Sequence, residues 1–210
     1  MTFMSNFRDS NESSPFQPHE CLGIVGYHGQ AFVRAHLTNV NNDRLHERIA
    51  DLPNRIGHGN DLAAGLKLSI ELLARKDRRF FRKIWLLTDG NTESKPAELL
   101  KLAGQAADNY INIYAIPVGP NYNGKLIESI VRRTHNGKYV SPVSFIQETD
   151  RLVKENYRHR ANGQNHRHEA AIACLDLSAN ALRSSGSQRT IDTTVDFVNR
   201  LVDLKQRTHG

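Results

Sequence analysis

From residue 21 onward the apolar positions follow two rhythms. Cys21–Tyr27 (CLGIVGY), Lys83–Thr88 (KIWLLT) and Ile111–Val118 (INIYAIPV) are short, nearly continuous apolar runs of strand length, the last stopped by Gly119-Pro120. Ala31–Leu37 (AFVRAHL) alternates, and His28-Gly29-Gln30 before it predicts a hairpin. Between these runs the apolar spacing widens to helical intervals. Leu62, Leu66, Ile70 and Leu73 fall on one face and predict a helix over Asp61–Arg75. Asn60 is placed to cap it, and Asp61 suits the positive end of its dipole. Leu45, Ile49 and Leu52 predict a helix over Asn42–Leu52, closed by Pro53, and Leu99, Leu102, Ala103 and Ala106 predict another over Ser94–Asp108. Gly124–His135 and Ser144–Lys154 read as helices flanking a short strand at Lys138–Val143.

Strands and helices alternating in this way imply a three-layer α/β/α, doubly wound, mostly parallel sheet, with Ala31–Leu37 as an antiparallel edge. The layout read from the pattern is a mobile Ser/Asn/Pro-rich leader at 1–20, the α/β domain at 21–154, a polar basic linker at 155–168 and a helical hairpin at 169–207. In that hairpin Ile172, Leu175, Ala179 and Leu182 mark the first helix and Ile191, Val195, Val198 and Val202 the second, with Ser184–Ser187 turning between them. Phe197, Leu201 and Leu204 add a second stripe to the second helix. That helix therefore needs more than its neighbour to pack on: its own α/β domain, a second copy of the chain, or a partner helix.

Composition narrows the classes. The 210 residues are 39% hydrophobic and 24% charged, clear of the disordered class. No apolar run approaches the ~18 residues that span a bilayer, and no signal pattern opens the chain, so the expectation is a soluble cytoplasmic protein without membrane contact. The excess of 28 Lys and Arg over 22 Asp and Glu permits an anionic partner without requiring one. Cys21 and Cys174 lack zinc or disulfide spacing and read as small buried apolar side chains. Gly23, Gly26 and Gly29 are followed by a strand, not a helix, so they make no dinucleotide loop. His46-Glu47 opens a zinc-protease pattern that Ala50 breaks. His159, His166 and His168, among Arg158, Arg160 and Arg167, read as a solvated linker. The basic stretch Arg75–Arg79 reads as a solvated helix end; Phe80 and Phe81 beside it raise the alternative of nucleic-acid contact, which is the weaker reading. No catalytic or cofactor-binding residue emerges, and the chain reads as a non-enzyme.

The order of motifs resembles a von Willebrand factor type A domain over about Cys21 to Lys154. CLGIVGYHG with FVRAHLT resembles the family's second and third strands, GHGNDLAAGLKLSIELL its metal-loop-plus-helix segment, and IWLLTDG its fourth strand and acidic turn. YAIPVG and THNGKYV resemble the segments of its last two strands. The resemblance implies an open α/β sheet that binds partner proteins, often through a divalent metal at the top of the sheet. In the family the metal is held by an Asp-x-Ser-x-Ser loop after the first strand, a Thr on a second loop and an Asp on a third. The resemblance places Asp89 at the third-loop Asp and Asn60 at the Thr, a departure, although an amide oxygen can ligate.

The first loop has no counterpart in the resembling region. Asp9-Ser10-Asn11-Glu12-Ser13 mimics it, but the interval to Cys21 is too short for a parallel crossover and no apolar strand precedes Asp9. The expected metal site is thus degenerate, Asp89 with Asn60, binding magnesium weakly if at all. The family's first strand, which lies between those resembling residues 21–27 and 83–88, also lacks a counterpart. A start placed too far downstream, direct pairing of the two flanking strands, or a strand from another chain would each account for that. The expected function is protein–protein interaction through the loops around Asn60 and Asp89 or through the C-terminal helices. The alternative is a structural assembly subunit that oligomerises through those helices or an open strand edge.

Overall fold

The computed structural model describes residues 21–40, 42, 44–76, 80–119, 121–140, 151, 169–179, 181 and 188–207. Six strands form one sheet: β1 (Cys21–Tyr27), β2 (Ala31–Asn39), β3 (Phe81–Thr88), β4 (Ile111–Pro117), β5 (Lys138–Tyr139) and β6 (Glu169–Asp176). Their spatial order is β2-β1-β6-β3-β4-β5. β2 pairs antiparallel with β1 at one edge, as its alternating pattern predicts, and every other pairing is parallel.

Because β1, β3, β4 and β6 are covered on both faces, their residues are apolar almost throughout. On β3, Ile84 and Leu86 join the core beneath α2 (Leu62–Ala74), α3 (Pro96–Asp108) and α4 (Gly124–Val131). Trp85 and Leu87 point the other way, into the core beneath α1 (Arg44–Ala50) and α5 (Gln188–Arg207). The three-layer α/β architecture read from the sequence is the observed one.

The helical hairpin at 169–207 is not. Its first half is β6, the strand at the centre of the sheet. Ile172 and Leu175 fit a helical stripe, but AAIACL is also a continuous apolar run, and such runs satisfy a helix and a two-faced strand equally well. Ala170, Ile172 and Cys174 pack toward α2, while Ala171, Ala173 and Leu175 pack toward α5, and all six are fully buried. The second half is helical, and α5 docks on its own sheet through Phe197, Val198, Leu201 and Val202. Each such side chain contributes about 1.5–3 kcal/mol by leaving water.

The missing central strand is thereby accounted for within the chain. β6 runs parallel to β1 from Cys21↔Ala170 to Tyr27↔Asp176, and parallel to β3 from Phe81↔Glu169 to Leu87↔Leu175. None of the three explanations raised by the sequence is needed. The strand in the family's first position comes later in the sequence than its neighbours. At its start, the Glu169 carboxylate accepts a hydrogen bond from the fully buried Lys83 Nζ at 3.0 Å, tying β6 to β3. The same ammonium lies over the rings of Tyr114, Trp85 and Phe81 at 4.7, 5.1 and 5.3 Å.

Smaller boundaries shift too. Pro53 does not close α1; it sits in the first turn of a 3₁₀ segment, Leu52–Arg55, where its missing N–H leaves nothing unpaired. The helix from Gly124 stops at Val131, and the strand expected over 138–143 is described only at Lys138–Tyr139. The leader at 1–20, the helix expected at 144–154 apart from Arg151, the linker at 155–168 and the turn at 184–187 lie outside the described residues.

Candidate functional site

The carboxyl ends of the parallel strands gather three loops, where ligands bind in open α/β sheets. β6 ends in Asp176, followed by Leu177 and Ser178. The second loop, 57–61, enters α2, and the third, 89–95, leaves β3. Leu177 accepts from the Gly57 N–H at 3.0 Å and Ala179 donates to the Gly57 carbonyl at 2.7 Å, joining the first loop to the second. Glu93 donates its N–H to the Asn60 carbonyl at 2.9 Å, and the Thr92 hydroxyl donates to the same oxygen at 2.7 Å, joining the third. Two glycines in the left-handed region permit these paths, Gly59 at φ 81° and Gly90 at φ 70°. A Cβ at Gly59 would lie 2.7 Å from the Gly29 Cα, and one at Gly90 would lie 2.9 Å from Ile127 Cγ1.

Asp176 and Ser178 face Asn60. The Asn60 amide Nδ2 donates to Asp176 Oδ2 at 3.1 Å and to Ser178 Oγ at 3.2 Å. Thr88 Oγ1 donates to Asp176 Oδ2 at 3.2 Å, and the Ser178 N–H donates to Asp176 Oδ1 at 3.0 Å. Asp89 stands next along β3; its Oδ1 accepts from the Asn91 N–H at 2.8 Å. Asp176, Ser178, Asn60 and Asp89 are all buried.

Two like charges thus share a poorly solvated place. Burial pushes the Asp176 carboxyl up, the negative charge of Asp89 pushes it further, and it reaches about 6. Burial also raises Asp89, against the pull of its Asn91 hydrogen bonds. Beneath them the fully buried Tyr27 hydroxyl is raised by burial and then by the charge of Asp176. No described cation pairs with either Asp, and Asn60 Oδ1 is buried without a hydrogen-bond partner. An acceptor left without a donor is costly inside a protein. Two carboxylates, a hydroxyl and an orphaned amide oxygen are the hard oxygen donors that magnesium or manganese takes. The residues fit a divalent cation.

Asn60 is therefore not the helix cap expected from the sequence. Asp61 is: its Oδ1 accepts from the Ala64 N–H at 3.0 Å, and also from Ser94 Oγ at 2.9 Å. The structure places Asn60 against Asp176 and Ser178, with Asp89 close enough for its charge to act on Asp176; Asp176 and Ser178 are the two that the sequence reading missed. The signal was present. Asp176-Leu177-Ser178-Ala179-Asn180 is an Asp-x-Ser-x-Asn run directly after an apolar segment, one residue from the family's loop. It was hidden by the helical reading of 169–182 and by its place late in the chain. Asn180 lies outside the described residues, as do His159, His166 and His168. Cys21 and Cys174 are buried and form no disulfide; burial pushes the Cys174 thiol up to about 12, which keeps it protonated. Among the described residues no helix is long and apolar enough to cross a membrane.

A family model of the von Willebrand factor type A domain matches residues 1–155, a span that stops short of β6 and α5. No curated protein matches the chain. Among solved structures, BatB, a conserved hypothetical protein from Bacteroides thetaiotaomicron, is 18% identical, with 65% of this chain and 80% of that one covered and a TM-score of 0.49. An aerotolerance-related membrane protein from Bacteroides fragilis, solved with multiple mutations to serines, is also 18% identical, with 58% and 71% covered and a TM-score of 0.46. With a match over most of its length and a sheet of six mostly parallel strands between helices, the chain belongs to the von Willebrand factor type A domain family.

Proposed function

We propose that the chain is a non-enzymatic protein-interaction module that meets its partner at the loop cluster, with a divalent cation held by Asp176, Ser178, Asn60 and Asp89. The observation that carries this reading is the delivery of Asp176 and Ser178, by the central strand, to the loops of Asn60 and Asp89. The sequence alone offers two donors and a weak, degenerate site; the four together favour a firmer one. A hard cation there would neutralise the two carboxylates and offer its open positions to an oxygen of the partner. The chain's own part is to hold the donors rigidly. Thr88 and the Ser178 N–H fix the Asp176 carboxylate, Asn91 fixes Asp89, and Thr92 with Glu93 fix Asn60. The covered stripe of α5 supports this reading over assembly through the C-terminal helices, since those apolar side chains are already buried in cis.

Two measurements test it. Titration calorimetry with manganese is expected to show one site at micromolar affinity, lost in Asp89→Ala and in Asp176→Ala. Affinity capture is expected to retain a partner on the wild type in magnesium, and to release it in chelator and in either variant. A partner held equally by all of these, or a wild type that takes up no cation, overturns the proposal.

A further inference from the structure

Asn60 is tied into the loop cluster by its backbone and by its side chain separately. Its carbonyl accepts from Glu93 and Thr92, which anchors the loop. Its amide Nδ2 bridges Asp176 Oδ2 at 3.1 Å and Ser178 Oγ at 3.2 Å, with one N–H for each. The neighbours decide which way the amide faces: an ionised carboxylate only accepts, so Nδ2 and not Oδ1 is turned toward Asp176. Oδ1 is left buried without a donor, in a residue that is 4% exposed.

The bridge uses up the acceptors that a cation needs. Ser178 Oγ accepts from Nδ2 and also from the Ala181 N–H at 3.3 Å, so both of its lone pairs are engaged. Asp176 Oδ2 accepts from Nδ2 and also from Thr88 Oγ1 at 3.2 Å, so its lone pairs are engaged as well. A metal ion takes a lone pair from each ligand oxygen. Among the described residues, Asn60 is the donor common to both atoms. The other donors are fixed more firmly: Ala181 donates through its backbone, and Thr88 Oγ1 also accepts from the Gly90 N–H at 3.0 Å. The Asn60 amide is held only by the two oxygens it bridges, since its Oδ1 has no partner. Its –NH2 brings partial positive charge to the same oxygens that the ion would take.

Resting on the reading of this cluster as a cation site, we propose that Asn60 is an internal competitor of the cation: its –NH2 holds Asp176 and Ser178 in the ion-free chain, the ion binds by displacing it, and the partnerless Oδ1 is the atom that the same side chain then offers. Asn60 therefore sets the affinity below what the donor set alone would give, and the site loads only where the divalent ion is plentiful. A hydroxyl at this position would act differently. It has a single proton, so it closes one of the two oxygens and not both, and it keeps its own lone pairs for the ion.

The test compares the wild type with Asn60→Thr in the full chain. In calorimetry Asn60→Thr is expected to bind manganese about tenfold more tightly, or better, because one hydrogen bond fewer to the ligand oxygens has to be broken. In chelator it is expected to melt below the wild type, since the bridge is lost. A side chain that only ligates, or only orders the loop, would give equal or weaker manganese binding in the variant. A second measurement needs no variant. In nuclear magnetic resonance spectra of the wild type, the Asn60 –NH2 signals, assigned through their own backbone, are expected to move upfield from hydrogen-bonded positions as magnesium is added. Manganese bound by folded Asn60→Thr no more tightly than by the wild type, or magnesium bound with those signals unmoved, would overturn the competitor and leave the cation site standing. No uptake of either ion by either protein would overturn both.

Discussion

β6 carries an acidic residue at each end, and both lie beside β3, yet the two ends solve the problem of buried charge differently. At the start, Glu169 meets the ammonium of Lys83 at 3.0 Å, and three aromatic rings surround that cation. At the finish, Asp176 meets a second carboxylate, Asp89, and is pushed up to about 6. The first pair matches acid to base and ties β6 to β3. The second pair has no ion pair to a Lys or Arg among the described residues, which is the gap that the proposed cation would fill. The sheet is thus closed electrostatically at one end and left open at the other.

The largest effect tests whether β6 joins the two halves of the sheet. Ending the chain at residue 168 would remove the strand between β1 and β3 and leave two unpaired edges facing each other, with the apolar face under α5 exposed as well. Loss of cooperative thermal unfolding and of most near-ultraviolet circular dichroism is expected. A shortened chain that still melts as one sharp transition would show that β1 and β3 pair directly.

The next effect breaks the closed end alone. Lys83→Met removes the ammonium that meets the buried Glu169 carboxylate and is expected to cost about 3–5 kcal/mol in urea unfolding. Adding Glu169→Leu should recover most of that loss, because the penalty is the stranded charge rather than the missing attraction. A double variant as weak as the single one would mean that the aromatic cage, and not the charge balance, holds this end together.

The same asymmetry explains what could be read from the sequence. The apolar runs of β1, β3 and β4 and the stripe of α2 each admit one reading, so the α/β class and most elements were legible. Asp89 was legible as well, because Asp-Gly after a buried strand is a local signal. β6 was not. Its alanines give little β preference, and Ile172, Leu175 and Ala179 satisfy helical spacing by coincidence. Only its neighbours decide the matter, and pairing between residues 21–27, 81–88 and 169–176 is a non-local fact. Losing the strand lost Asp176 and Ser178 with it. Asn60 was misassigned for a smaller reason: two adjacent residues could both cap α2, and pairing with Asp176 across the chain decides that Asp61 does so.

The open end makes a prediction with a definite sign. The folded chain holds a proton on Asp176 up to about pH 6, whereas an unfolded carboxyl releases it near its ordinary value. Through that window the folded state binds more protons, so the stability contributed by this group is complete at low pH and falls as pH rises through the window. Melting temperatures measured in chelator from about pH 4 to about pH 8 should fall more steeply for the wild type than for Asp176→Asn. Above the window the variant should be the more stable of the two without metal, and the less stable in excess manganese. A wild type and variant with parallel pH profiles would mean that the Asp176 carboxylate is already compensated within the chain.

The smallest effect separates the carboxylates proposed to hold a cation from one that caps a helix. Asp61 lies on the same loop as Asn60, but both groups on its Oδ1, the Ala64 N–H and the Ser94 hydroxyl, come from the chain itself. It is a cap, so Asp61→Ala should cost about 1 kcal/mol. Because that loss comes from the entry to α2 and not from the proposed cation ligands, the stabilisation added by manganese should match that of the wild type. Chemical unfolding with and without the ion measures both quantities at once. If Asp61→Ala abolished the manganese response as Asp176→Ala is expected to, the cluster would have to be redrawn with Asp61 inside it, and the contrast between internally satisfied and ligand-seeking acids would fall at a different residue.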